Sequence, residues 1–454
     1  MAFQSVNPAT GETLATYDTW DADTLNDALQ AVADANDSWA ATSLEERCDL
    51  MRKAAAQLRE DKKELAQTIT REMGKLITAA EAEVEKCALV CEYYADNGPQ
   101  FLADEIIETD AGKSYVCYQP IGTVLAIMPW NFPLWQVFRF AAPALVVGNT
   151  GVLKHASNVP QCALAIESVF RKAGFPENVF RTLMISASQV ESVIEDSRIA
   201  AATLTGSEPA GRQVASQAGA NLKKTVLELG GSDPFVVLDD ADIPAAVENA
   251  VTSRYLNSGQ SCIAAKRFIL VKSIAAEFLT QFKNAVEAMK IGDPMDRNTD
   301  LAPMARIDLR DDLHQQVTDS IKAGATAVTG CQVVDGSGAY YQPSILADVK
   351  PGMRAYSEEF FGPVAIVITV RDEDEALQVA NDTTFGLGAN VWSKDTARAE
   401  AFAKKVQAGS VFVNGFVKSD PRLPFGGIKA SGYGRELSHH GMHEFVNVKT
   451  VWIQ

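Results

Sequence analysis

From residue 121 onward the chain alternates apolar strand patterns with amphipathic helix patterns, and no other feature restricts its fold as much. GTVLAIMP (122–129) is a strand halted by Pro129, and a loop and helix (WNFPLWQVFRFAAPALVVG, 130–148) follow. TGVLKHAS (150–157) is the next strand, PQCALAIESVFRKAG (160–174) a helix and VFRTLMI (179–185) a strand. SRIAAATLTGS (197–207) then leads into the helix EPAGRQVASQAG (208–219). Strands separated by helices cannot pair as hairpins, so the alternation predicts a parallel, doubly wound α/β sheet. Its functional residues belong at the carboxyl ends of strands, where 128–131 and 154–157 fall. A second α/β unit begins near residue 243, with PVAIVITV (363–370) as a strand between helical runs. A length of 454 residues allows about two to four domains.

The chain before this alternation reads differently. NPATGE (7–12) is a turn between short extended segments, consistent with a hairpin. Residues 22–97 are dominated by charged amphipathic runs such as LEERCDLMRKAAAQLRED (44–61). These are expected to be solvated helices with i,i+4 ion pairs and no evident chemistry. EIIETDAGKSYVCY (105–118) alternates as a strand does, with a turn at Asp110 and Gly112.

Composition matters where it excludes partners. A net charge of −17 opposes binding to nucleic acid or to anionic membranes, and an anionic substrate needs a local cation to enter. Seven cysteines are an odd number without a CxxC pair, which argues for a reducing compartment. Cys87 and Cys91 share a helical face, where packing suits them better than metal binding. The N-terminal stretch lacks a basic-then-apolar signal and no apolar run is long enough to span a bilayer, so a cytoplasmic protein is expected.

Chemistry concentrates in two runs. NSGQSCIAAK (257–266) places Cys262 between a helical pattern and the buried strand RFILV (267–271), with Gly259 to break the helix. A turn held between rigid elements exposes a side chain while fixing it, as a nucleophile requires. TVLELGGSDPF (225–235) ends an apolar strand on Glu228, whose burial would raise its pKa toward neutral and suit it to proton transfer. Taken singly, a free cysteine is most often a small buried hydrophobe, and an acid at a strand end often faces water. Together, ELGGSDP and GQSCIAAKR resemble the aldehyde dehydrogenase superfamily, and the resemblance extends from NPATGE to the terminal strand.

The remaining motifs are weighed beside that resemblance. No GxGxxG fingerprint and no Walker A motif is present. LTGSEPAG (204–211) instead puts Gly206 at a strand end, with Ser207 a candidate helix cap and Pro209 in the first turn, an anion site for a pyrophosphate. The resemblance implies that this segment holds the dinucleotide. PWNFP (129–133) fixes its loop with two prolines and leaves Asn131 as a preorganised amide donor, an oxyanion partner by chemistry and by resemblance. The resemblance adds Trp130 as a cofactor contact. Lys154 ends a strand where its cation would reach ribose or phosphate. Ser157 stands where many members carry a glutamate that repels a 2′-phosphate, which points to NADP with NAD weaker. His155 replaces a proline and has no account from sequence.

SEEFFGPV (357–364) resembles the family's ribose-binding segment, which implies cofactor contacts from Glu359 and Phe361. PFGGIKASGYGREL (424–437) resembles its C-terminal signature, with Glu436 a second carboxylate that some members use to relay protons. His439 and His443 lie one helical turn apart, but no acidic or thiol ligands complete a site, so no metal is expected.

The resemblance implies an NAD(P)-binding domain (1–103 and 120–231), a catalytic domain (232–438) and a bridging β element (104–119 and 439–454) that joins subunits into a homodimer or homotetramer. VKSDPRLPFGG (417–427) and NFPLWQVFR (131–139) look most like the short succinate-semialdehyde dehydrogenases. Asn131, Trp135 and Arg139 recur at steps of four, so one channel is expected to run past them to Cys262. At its far end Arg139 and Ser419 would hold a substrate carboxylate. The expected reaction is NADP-dependent oxidation of succinate semialdehyde: Cys262 as thiolate attacks, Asn131 steadies the oxyanion and Glu228 activates water on the thioester. Another small aldehyde, CoA in place of water, or a non-catalytic use of the scaffold remain as alternatives.

Overall fold

In the computed structural model, which describes residues 2–454, the alternation forms a six-stranded sheet ordered Gly432–Tyr433, Lys224–Glu228, Ile199–Thr205, Thr123–Met128, Thr150–His155, Phe180–Thr182. The last five strands are parallel. Starting from Thr123–Met128, the chain first adds strands on one side and then on the other. The strand order therefore reverses between Thr123–Met128 and Ile199–Thr205. A crevice opens at the carboxyl ends flanking such a reversal. Gly432–Tyr433 crosses the expected division of the chain, because it lies within 232–438 yet pairs antiparallel with Leu227 and Glu228.

The second sheet has seven strands: Thr326–Thr329, Ser344–Ala347, Val364–Val370, Ala265–Val271, Asp233–Val237, Gly388–Trp392, Ser410–Val413. Only Thr326–Thr329 runs antiparallel. Four residues, 229–232, carry the chain from Glu228 into this sheet, so carboxyl ends of the first sheet face amino ends of the second. A third sheet pairs Val446–Ile453 with Lys113–Pro120, and that strand with Glu105–Ile106. The expected N-terminal hairpin is present as Ala2–Val6 against Thr13–Asp18.

The helical region before residue 121 departs from expectation. Its charges pair mainly between helices, as Arg59 does with Glu85 and Glu92, rather than four residues apart on one helix. Helix Ile77–Phe101 is not a solvated rod: Ala80, Val84, Cys87, Val90, Cys91 and Tyr94 are fully buried. It also carries buried charge toward the loop at 129–134. Glu83 pairs with Lys75, both side chains 2% exposed or less, and its other oxygen accepts from the N–H groups of Leu134 and Trp135. Removing one partner of such a pair costs about 3–5 kcal/mol, so this contact is a firm support for the loop. Among the described residues no helix is long and apolar enough to cross a membrane.

Candidate active site

Cys262 sits where the chain leaves helix Ile243–Tyr255 for strand Ala265–Val271. The turn between them is sharp: Asn257, Ser258 and Gly259 all have positive φ, 55°, 54° and 73°. A side chain at Gly259 would strike the carbonyl of Gly362, so the turn needs glycine both for its dihedral and for its neighbours. The turn is pinned by Arg254, which is fully buried and donates to the carbonyls of Ala265, Gly259, Phe360 and Gly362.

Two cavities meet at this turn, and Cys262 is the one described residue that lines both. The larger, about 260 Å³, follows the reversal of the first sheet: Pro129, Trp130 and Asn131 after one strand, Thr205, Gly206 and Ser207 after the next, then Glu228, Leu229 and Gly230. Leu309, Glu359 and Phe361 close it, with the rings of Trp130 and Phe361 edge to face at 5.8 Å. The smaller, about 100 Å³, lies on the other side of the thiol among Phe132, Trp135, Arg139, Phe425, Ser419 and Lys86, with others.

Burial sets the charge states. It pushes the Cys262 thiol up to about 12, against the opposing pull of Lys266 and Arg139. The resting side chain is therefore a thiol, which must lose its proton to become the attacking thiolate. Glu228 is 2% exposed and neither carboxyl oxygen has a hydrogen-bond partner. Burial raises its pKa well above the carboxylate range, and the charge of Glu436 adds to this. Glu436 is raised too, chiefly by burial, but Arg139 opposes the shift by ion-pairing with it. One positive charge thus serves two carboxyls, and it is in ion-pair contact with Glu436. Room for the Glu228 carboxyl depends on Gly426, where an added Cβ would lie 2.7 Å from Glu228 Oε1.

Several sequence expectations change here. Asn131, Trp135 and Arg139 do not line one channel: Asn131 faces the larger cavity, while Trp135 and Arg139 face the smaller. The helix starts at Trp135, so the step from Asn131 is not a helical one. Asn131 Nδ2 donates to the Gln260 carbonyl at 3.1 Å. Arg139, expected to hold a substrate carboxylate with Ser419, lines the smaller cavity with it and is also 2% exposed, paired with Glu436 and stacked 4.6 Å over the Phe425 ring. Glu436 reaches it from almost 300 residues away, a contact no local spacing encodes. Ser207 precedes helix Glu208–Ala220 but makes no side-chain cap bond.

The other candidates fall as follows. Lys154 and Ser157 lie one strand over from Pro129 on the same row of strand ends, outside the larger cavity's lining. Ser157 is exposed, and Lys154, its pKa lowered by burial, has no carboxylate partner among the described residues. Glu359 pairs with Lys266 at 3.2 Å and accepts from Gly231 N at 3.1 Å. His155 now has a role: its Nε2 meets the Pro133 carbonyl at 2.8 Å, while Nδ1 accepts from Ala156 N, which makes Nε2 the protonated nitrogen. Burial lowers its pKa to about 4, so it remains a neutral donor that ties the 129–133 loop to the next strand. His443 stacks on Tyr118 and meets the Phe101 carbonyl, and no metal-holding cluster occurs among the described residues. Lys86 escaped the sequence reading because its helix read as solvated.

The larger cavity suits a dinucleotide. It offers the start of helix Glu208–Ala220 at Gly206 and Ser207, an aromatic pair to flank a flat ring, and an unpartnered cation in Lys154 along the same edge.

The family model for aldehyde dehydrogenases matches residues 1–451. A probable succinate-semialdehyde dehydrogenase (NADP(+)) of Synechocystis sp. is 52% identical over 453 residues, covering 100% of both chains. Succinate semialdehyde dehydrogenase (NAD(P)+) Sad of Escherichia coli is 49% identical, covering 99% of this chain and 97% of that one. The crystal structure of succinic semialdehyde dehydrogenase from Streptococcus pyogenes in complex with NADP+ superposes with a TM-score of 0.98 at 41% identity, each chain covered completely.

Proposed function

The chain belongs to the aldehyde dehydrogenase family, and on that premise we propose that it oxidises succinate semialdehyde to succinate, with NADP preferred and NAD weaker as electron acceptor. The carrying observation is the smaller cavity at Cys262. Its lining includes three cations, Lys86, Arg139 and Lys418, and no carboxylate, in a chain of net charge −17. Such a pocket favours a small aldehyde that bears its own negative charge. The names of the Synechocystis, E. coli and S. pyogenes relatives support the same substrate, and NADP occurs in all three.

In this reading Trp130, Gly206, Ser207, Glu359 and Phe361 hold the dinucleotide, with Lys154 and Ser157 toward its 2′-phosphate. The bound cofactor supplies the two-electron acceptor for the oxidation. Cys262 Sγ gives up its proton and attacks the aldehyde carbon. Asn131 Nδ2 exchanges the Gln260 carbonyl for the developing oxyanion and is joined there by the Cys262 backbone N–H. The former aldehyde carbon then gives up its hydrogen with both electrons of the C–H bond to the acceptor, which leaves a thioester on Sγ. Glu228, once ionised, takes a proton from the water that attacks the thioester carbon; the C–S bond breaks, Cys262 Sγ is regenerated and succinate departs. Glu228 lines the cofactor cavity rather than the cationic one, so that water approaches from the cofactor side.

The halves 1–103 with 120–231 and 232–438 are assigned to cofactor binding and catalysis, respectively. The three-stranded sheet exposes Ile106, Val448 and Trp452 at 65%, 61% and 50%, a surface suited to a subunit contact in a homodimer or homotetramer, which light scattering would measure.

Steady-state assays with succinate semialdehyde and butanal, each with NADP and NAD and with or without CoA, test the reading. The highest kcat/KM is expected for the acidic aldehyde with NADP and no CoA requirement. Preference for butanal, for NAD, or dependence on CoA would overturn the corresponding part.

A further inference from the structure

We propose that Lys86, acting with Ser419, binds the carboxylate of the substrate beside Arg139, which is shared with the catalytic carboxyls. This inference rests on the reading of the substrate as an acidic aldehyde and specifies how that aldehyde is selected.

The three cations of the cavity are not equivalent. Lys418 is exposed at the mouth. Arg139 is in ion-pair contact with Glu436, so it is shared between that carboxyl and the cavity. Lys86, on helix Ile77–Phe101, has no carboxylate in ion-pair contact among the described residues. Its Nζ lies 2.6 Å from Ser419 Oγ and 4.1 Å from the centre of the Trp135 ring.

The Lys86–Ser419 contact leaves donors over. An ammonium has three N–H groups and Ser419 Oγ accepts one of them. The serine hydroxyl proton then has no acceptor in that pair, and two N–H groups of Lys86 remain. An O–H and an N–H side by side form a two-donor seat for the two oxygens of a carboxylate. The ring of Trp135 backs the ammonium and keeps it at the cavity wall. Burial and the nearby Arg139 lower the Lys86 pKa to about 8, so the ammonium predominates at neutral pH. An uncompensated, partly desolvated cation is costly unless a ligand neutralises it, and a carboxylate entering from the Cys262 side would do so.

The test compares kcat/KM for succinate semialdehyde with that for butanal, a neutral aldehyde of the same carbon count, in wild type and in K86M, K86Q, K86R and R139M. Inhibition by succinate is measured in parallel. In K86M and K86Q the acid-to-neutral ratio is expected to fall about tenfold or more, mainly through KM, with a matching loss of succinate inhibition. K86R is expected to recover part of the ratio, because it keeps the charge. R139M is expected to lower kcat for both aldehydes, since Glu436 loses its partner. If wild type prefers the acidic aldehyde while K86M and K86Q keep the full ratio, the assignment of Lys86 is overturned and the substrate stands. A wild type without preference for the acid overturns both. Collapse of the ratio in R139M alone returns the anchor to Arg139.

Discussion

The two cavities that meet at Cys262 are built by different means. The larger is lined mainly by strand ends and the turns after them: 129–131, 205–207 and 228–230 lie at the carboxyl ends of strands of one parallel sheet. The smaller is lined by side chains brought from remote stretches, including Lys86, Trp135, Arg139 and Ser419. The first kind of site follows from topology, because a reversal of strand order opens the crevice whatever fills it. The second depends on which side chains neighbouring helices turn toward one another. The proposed cofactor site fits the first pattern, and the proposed substrate site fits the second.

Variants should respect that division, and the nucleophile at the junction should not. Cys262→Ala is expected to abolish turnover of every aldehyde with either cofactor, by a factor on the order of 10³ or more. Dinucleotide binding, followed by quenching of tryptophan fluorescence, should survive. Substantial turnover in the variant would separate the cavities from the chemistry altogether. Glu228→Gln comes next, with an expected loss on the order of 10² in steady-state rate. Its first turnover should be spared, so stopped-flow absorbance should show a burst of reduced cofactor followed by a slow phase. A uniform loss without a burst would mean that Glu228 acts before the thioester and not on it.

The same contrast explains what was legible in the sequence. The alternation after residue 121, the carboxyl-end turns and the runs around Cys262 and Glu228 are local patterns, and local chain geometry dictates them. The ion pair between Arg139 and Glu436 and the contact between Lys86 and Ser419 join residues 297 and 333 positions apart. No periodicity encodes such contacts. Lys86 was concealed further because its helix combines a charged sequence with a buried environment. His155 was visible as an oddity, but its bond to the Pro133 carbonyl needed the register of Met128 against His155.

A smaller effect should sharpen the cofactor side. Ser157→Glu places a carboxylate beside Lys154 at the exposed strand end. It is expected to lower kcat/KM for NADP about tenfold through repulsion of the 2′-phosphate, with little change for NAD. The acid-to-neutral aldehyde ratio should not move. A shift in that ratio would mean that the two cavities are coupled across Cys262.

The smallest expected effect is one of pH, and it separates the cavities within the unmodified enzyme. Cys262 and Glu228 both have raised pKa values, so their ionised forms gain as pH rises. The rate with any aldehyde should therefore climb from pH 6 toward 9. Lys86 works in the opposite sense. Burial and Arg139 lower its pKa to about 8, while Cys87, Glu83 and Asp420 favour its charged form. Below that value the ammonium is present; above it the charge is lost. Passing from pH 7 to pH 9 takes a group with a pKa near 8 from mostly charged to mostly neutral, which should lower the acid-to-neutral ratio of kcat/KM severalfold. Both substrates share the thiol and Glu228, so their titration cancels in the ratio, and what remains reports the smaller cavity. In K86R the guanidinium stays charged throughout and the ratio should be flat across this range. A ratio independent of pH in wild type, or a fall that persists in K86R, would show that the charge reading the carboxylate is not the one on Lys86.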